Sequence, residues 1–235
     1  KDQSYFLSQI NQDQLKKLLF PIGKLTKKEV REIAKMNNLI TATKKDSQGL
    51  CFVGKIKLPI FLQNQIKNKQ GSIIEINPKS ELYHKTTSLD YEIKYKPEYG
   101  KKIGTHNGAH LFTIGQRKGI NIGGKPEPLF VLSTDVNKNI IYVGMGTNHP
   151  GLFRKKLKIN EKNIHWLIPY KKLDVQSEKK YMVRIRHRQK PQNALLKMDK
   201  NYLHIVFEKP QRGIAKGQFA AWYEKNTLVG SGPIA

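Results

Sequence analysis

From Pro128 onward no stretch of this chain keeps a helical period; its apolar residues come in short runs broken by turn formers. The runs fall at 129–132, 140–143, 181–188, 194–198, 202–208, 219–223 and 228–230. Asn137-Lys138-Asn139 and Asp199-Lys200-Asn201 have the residues of tight turns and predict hairpins. Many short antiparallel strands expose many edges, and rolling them into a small barrel removes those edges. We therefore expect an antiparallel β-barrel over 128–235.

The first part of the chain follows a different grammar. Asn11 is placed to cap a helix over 11–19, with Leu15, Leu18 and Leu19 on one side and Pro21 and Gly23 ending it. Thr26-Lys27-Lys28-Glu29 is a capping box, and Val30, Ile33 and Ala34 follow at helical spacing until Asn37-Asn38. The apolar faces of both helices are read as core. Pro59 predicts a further short helix over 59–67, and Gly71 opens a β-rich stretch with strands at 73–76, 91–95 and 110–114. The expected class is α+β: a short helical tail over 1–55, which the resemblance given below makes the end of a catalytic domain, a small β-rich domain over 56–127 and the barrel over 128–235.

Charge narrows the partners. Lys and Arg number 43 against 18 Asp and Glu, a formal net charge of +25, far beyond what solubility needs and suited to a polyanion. Lysine-rich composition loads part of that surface without purpose, so charge alone does not choose nucleic acid over a membrane surface. No apolar run is long enough to cross a bilayer, and one cysteine agrees with a reducing compartment. A soluble, cytoplasmic protein without a membrane partner is expected. In 183–188 strand alternation would put Arg184, Arg186 and Arg188 on one face, where planar guanidinium forks suit phosphate. The glycine-bracketed turn Gly115-Gln116-Arg117-Lys118-Gly119 pushes two cations outward, and reads equally as a phosphate contact or a solvated turn.

The one cysteine stands in Asp46-Ser47-Gln48-Gly49-Leu50-Cys51-Phe52-Val53-Gly54, where a polar loop enters an apolar run. For an isolated cysteine, a small buried hydrophobe is the plainer reading; a reactive thiol on a loop is the other. The stretch resembles the second-cysteine motif of the tRNA-specific 2-thiouridylases, the MnmA/TrmU family. Further blocks resemble that family in the same order: Lys1-Asp2-Gln3-Ser4-Tyr5-Phe6-Leu7, Phe20-Pro21-Ile22-Gly23, the Thr113–Gly119 block, Asn148-His149-Pro150, and Pro210-Gln211-Arg212 running on to Gly217-Gln218. Lys216 stands where the family usually has proline.

The resemblance implies a sulfurtransferase that replaces the 2-oxygen of the wobble uridine, U34, in tRNAs for Lys, Glu and Gln. ATP, with magnesium, activates the oxygen by adenylation, and Cys51 carries the incoming sulfur as a persulfide received from a sulfur carrier protein. Lys1, Asp2 and Gln3, then Arg186 and His187, then Gln218, match positions that contact tRNA in the family; His187 replaces a tyrosine there. An N-terminal ATP-pyrophosphatase domain with a Ser-Gly-Gly-Val-Asp-Ser loop precedes Lys-Asp-Gln in the family, and no such loop occurs in these 235 residues. The chain is therefore expected to be the C-terminal part of the enzyme, with no cofactor site of its own and inactive alone.

Other chemistry has weaker signals. His106 and His110 share a spacing that would align them on a helix, but Gly108 between them argues against one, and no metal site is expected. The alternative function is a non-catalytic RNA-binding module with a translation-factor-like barrel, in which Cys51 is structural.

Overall fold

Two capping boxes build the helical region of the computed structural model, which describes residues 2–45, 69–83 and 92–235. Helix α1 is Gln12–Lys16: Asn11 Oδ1 accepts from the Gln14 amide at 2.8 Å, and Gln14 Oε1 accepts from the Asn11 amide at 2.9 Å. Helix α2 is Lys27–Met36, capped in the same way by Thr26 and Glu29. Both starts agree with the sequence reading, although α1 ends three residues short of the expected 19. The apolar faces do not: neither helix buries a residue, and Leu19, Met36 and Ile40 are 89%, 81% and 99% exposed. The 3₁₀ turn Ile40–Thr43 lies against α2 and leaves Val30 and Ala34 only half-buried. Cys51 with its motif, the helix expected over 59–67, and Lys1 lie outside the described residues.

The first sheet has strands β1 (Gly71–Ile76), β2 (Gly100–His106), β3 (Leu129–Asp135) and β4 (Ile140–Met145) in the order β2-β1-β4-β3. β1 and β4 run parallel and the other two pairs antiparallel. Both faces are covered. Ile73, Val131, Ile141 and Val143 pack on one side with Ala109 and Ile120, whereas Ile74, Ile76, Phe130 and Tyr142 pack on the other with Leu152. The sequence reading grouped 129–132 and 140–143 with the C-terminal strands; they form the β3–β4 hairpin, whose second strand joins β1 across a parallel, non-local pairing that turn rhythm cannot reveal. No strand forms at 92–96, and residues Ala109–Leu111 make a 3₁₀ turn in place of the strand expected at 110–114.

The second sheet is wholly antiparallel. It contains β5 (Phe153–Asn160), β6 (His165–Trp166), β7 (Glu178–Arg184), β8 (Gln192–Met198), β9 (Tyr202–Arg212), β10 (Phe219–Glu224) and β11 (Thr227–Pro233), in the order β5-β9-β8-β7-β10-β11-β6. It curls around one core in which Trp222, Phe207, Leu196, Leu203 and Ile205 are fully buried. A single bridge between Ile159 of β5 and Ile234 beyond β11 brings the two flanks together, so the sheet is a curled half-barrel rather than a fully laddered closed barrel. β7 stops at Arg184. Beyond it the Ile185 amide donates to Gln189 Oε1 at 3.0 Å and the Gln189 amide to the Arg186 carbonyl at 3.1 Å, which makes a turn of 185–189.

Candidate functional site

Residues 2–10 lie across the second sheet and are fastened to it by side chains. The Tyr5 hydroxyl is the central fastening: placed between the turn after β7 and the start of β10, it lies 3.0 Å from the Ile185 carbonyl and 2.8 Å from the Phe219 carbonyl, in position to donate to either. Those carbonyls belong to the residues that precede Arg186 and follow Gln218. One hydroxyl thus draws together three blocks that lie about 180 and 214 positions apart in the chain. Burial raises the Tyr5 pKa, with the neighbouring Tyr223 adding to the shift, so the phenol stays protonated and available as a donor. Further along, the Ser231 hydroxyl donates to the Ser8 carbonyl at 2.8 Å, and the Gln9 side chain donates to Ser231 Oγ at 2.6 Å.

Asp2 and Arg184 close the other side. Arg184 Nη1 donates to Asp2 Oδ2 at 2.8 Å, and its guanidinium lies 4.9 Å from the Tyr223 ring centre. Only 11% of the Arg184 side chain is exposed, against 51% for Asp2. Desolvation works against ionising Asp2, but hydrogen bonds from Ser4 and the Arg184 charge outweigh it and hold the carboxyl below its ordinary value. His187 Nε2 donates to the Asp2 carbonyl at 3.1 Å, and its ring lies 4.3 Å from that of Phe6, which is 66% exposed.

The predicted residues therefore divide. Asp2, Arg186, His187 and Gln218 are brought into one neighbourhood, and Gln3 sits inside the docked segment, its carbonyl accepting from the Phe6 and Leu7 amides. Gln218 Oε1 is buried and has no hydrogen-bond partner. The expected row of three arginines does not form, because the strand ends at Arg184. Arg184 is turned in against Asp2, Arg186 Nη2 donates to the Gly213 carbonyl at 2.9 Å, and of the three only Arg188 is exposed. Within the Asn148-His149-Pro150 block, His149 is a buried latch. Its Nε2 donates to the Ile76 carbonyl at 3.1 Å, its Nδ1 accepts from the Gly151 amide at 3.2 Å, and burial lowers its pKa.

Sequence reasoning gave no role to Tyr5 or Arg212, and read Arg184 as a phosphate contact where the structure pairs it with Asp2. Tyr5 lay inside a recognised block, but nothing local marks an anchoring hydroxyl. Arg212 ends β9 with its guanidinium 4.5 Å from the ring centre of Phe130, across the seam between the two sheets. Arg154 of β5 donates from Nη2 to the Ile214 carbonyl, just beyond the end of β9, at 2.5 Å. A clamped N-terminal segment, an exposed aromatic pair and a seam rich in guanidinium suit a ligand that is both anionic and planar in parts, as RNA is.

Comparison with known proteins bears on that chemistry. Residues 1–55 match a family model described as the tRNA methyl transferase HUP domain, residues 60–145 the tRNA methyl transferase PRC-barrel domain, and residues 155–234 the aminomethyltransferase beta-barrel domain. The whole chain aligns with a tRNA-specific 2-thiouridylase MnmA of Flavobacterium johnsoniae at 50% identity, covering 62% of that protein. It aligns with proteins of the same description from Karelsulcia muelleri at 51% identity, covering 62%, and from Mycoplasma mycoides at 39%, covering 57%. The chain thus spans about three-fifths of the length of the curated relatives it matches.

Proposed function

We propose, from the premise that this chain belongs to the tRNA-specific 2-thiouridylase family, that it supplies the sulfur-carrying cysteine and a tRNA-binding surface to an enzyme that 2-thiolates the wobble uridine. The observation that carries this reading is the alignment at 50% identity along the entire chain. It includes the Asp46–Gly54 motif around the one cysteine. The family models are described by methyl transfer, but a thiol in a loop motif suits the receipt and delivery of sulfur, and the aligned relatives carry the thiouridylase description.

In this reading Cys51 Sγ holds the transferable sulfur as a persulfide, supplied by a sulfur carrier protein. A base inside a folded tRNA arm must be turned out to be reached, and unstacking is offset by contacts elsewhere on the RNA. Lys1, Asp2, Gln3, Arg186, His187 and Gln218 would make part of those contacts. Their support is the Tyr5 fastening, which places the described members of the set side by side. The tRNAs for Lys, Glu and Gln are the substrates the family reading names. ATP with magnesium would convert the uridine oxygen into a leaving group. None of the 235 residues forms the Ser-Gly-Gly-Val-Asp-Ser loop, so we place no ATP contact on this chain.

Cysteine chemistry gives the test. In the full-length protein Cys51→Ser should abolish 2-thiouridine formation and leave tRNA affinity within about twofold, because the thiol acts in the chemical step and not in docking. Mass spectrometry after exposure to a persulfide donor should find one added sulfur on Cys51. Thiolation retained by the serine variant would return Cys51 to a structural role and favour the binding-module reading.

A further inference from the structure

Buried guanidinium groups need partners. Arg184 has Asp2, but two residues on, Arg186 has only the Gly213 carbonyl for Nη2, and its Nε is buried with no hydrogen-bond partner. Arg212 is worse served: both Nε and Nη2 are buried without a partner. Burial lowers the Arg186 pKa, and the positive charge of Arg212 lowers it further, so the two cations are close enough to repel. No carboxylate among the described residues forms an ion pair with either. Like charges held together and partly desolvated destabilise a fold unless something of opposite charge joins them.

The two arginines sit where the two sheets meet. Arg212 lies over Phe130 of the first sheet, and the Gly115 turn is hydrogen-bonded to Val131 beside it, the Gly115 amide donating to the Val131 carbonyl at 2.7 Å. Arg186 passes between two glycines: a Cβ on Gly115 would lie 3.6 Å from Arg186 Nη2, and one on Gly213, whose φ is +68°, would lie 2.4 Å away. Gly213 is therefore favoured as glycine by its backbone conformation, and a side chain there would push the Arg186 guanidinium aside. The same turn continues into the exposed Arg117 and Lys118.

We propose that Arg212 and Arg186 together clamp one backbone phosphate of the bound tRNA at the seam between the two sheets. The inference rests on the tRNA reading above and adds Arg212 to it. The donors without partners are buried in the free protein, so in this proposal binding swings the two guanidiniums outward on their flexible stems. Charge-assisted hydrogen bonds then replace the unmade ones. The clamp spans both sheets, so an RNA seated there lies against the Gly115 turn on one side and the turn after β7 on the other.

The test uses the full-length protein and an unmodified transcript of tRNA for glutamate, titrated at several salt concentrations. Arg212→Met keeps the apolar stem over Phe130 and removes the charge. It should weaken binding about tenfold, the scale of a lost charged hydrogen bond, and lower the slope of log K against log salt by about 0.7 to 0.9. Its melting temperature without RNA should be unchanged or higher, since a repelling charge has gone. Arg212→Lys should restore the slope but only part of the affinity, because an ammonium offers no planar fork. Wild-type binding with an unchanged slope in Arg212→Met, or a lowered melting temperature with unchanged affinity, would make Arg212 a structural strut and overturn the clamp alone. A wild-type protein that binds no tRNA would overturn the functional reading and the clamp with it.

Discussion

Residues 2–10 and residues 12–43 adjoin in sequence and are held in opposite ways. The helices at 12–43 are ordered by their own neighbours, through two capping boxes each complete within four residues, yet bury no side chain in α1 or α2. The segment 2–10 has no regular structure and is held by long-range bonds to Ile185, Phe219, Tyr223 and Ser231. Local order and anchorage are thus separable. A helix can satisfy its termini without contributing to a core, and an irregular strip can be fixed in place by a few side chains that reach a rigid sheet.

The largest effect should come from the sheet that receives the strip. Trp222 is fully buried at the centre of the second core. Trp222→Ala should lower unfolding free energy by about 3 to 5 kcal/mol. Leu19→Ala, on a side chain 89% exposed, should stay within about 0.5 kcal/mol. Urea titrations of both variants would measure the contrast, and a Leu19 effect rivalling that of Trp222 would break it.

A sharper cut is Tyr5→Phe, which removes one hydroxyl and leaves the packing. The Ile185 and Phe219 carbonyls lose their shared donor, at a cost of about 1 to 3 kcal/mol. Amide exchange should accelerate across 3–10 and stay unchanged within 27–36. Equal protection in the variant would mean the strip is held by something other than that hydroxyl.

The smallest effect is in acid. The Asp2 carboxyl has a folded-state pKa below its ordinary 3.8, so it is deprotonated more readily in the docked strip than in the unfolded chain. Its contribution is full above that ordinary value and is lost as pH falls through the folded value. With half of Asp2 exposed, the effect is below about 1 kcal/mol. Exchange at 3–10 should therefore rise as pH falls below about 4 in the wild type, after correction for intrinsic rates, and Asp2→Asn should flatten that rise. An equal rise in both would assign it elsewhere.

What the sequence made legible follows the same division. Asn11 and Thr26 announce their helices because a capping box is complete within four residues. The hairpin turns at 137–139 and 199–201 are legible for the same reason. β5 was missed because Arg154, Lys155, Lys156 and Lys158 mask a strand whose inward residues are Leu157 and Ile159. The row of arginines failed because strand alternation was extended four residues past the end of β7, where the Gln189 side chain takes over the Ile185 amide. The grouping of Asp2 with Arg186, His187 and Gln218 could be read only from the resemblance. Its physical basis, the Tyr5 hydroxyl and the Asp2–Arg184 pair, joins residues some 180 to 215 apart. Cys51 was conspicuous from its motif, and the described residues add nothing to it.

The reach of the Tyr5 fastening also has a consequence in time. Tyr5 is made 214 residues before Phe219, which one of its bonds requires. At roughly 5 to 20 residues per second of synthesis, it waits on the order of 10 to 40 s for that partner. The strip at 2–10 therefore settles after Phe219 has been made, and the place where the three blocks meet exists only once synthesis has passed that residue. A ribosome that stalls before Phe219 releases a chain carrying the basic residues of this surface without their assembled arrangement. Such a chain keeps its positive charge but lacks the geometry described here.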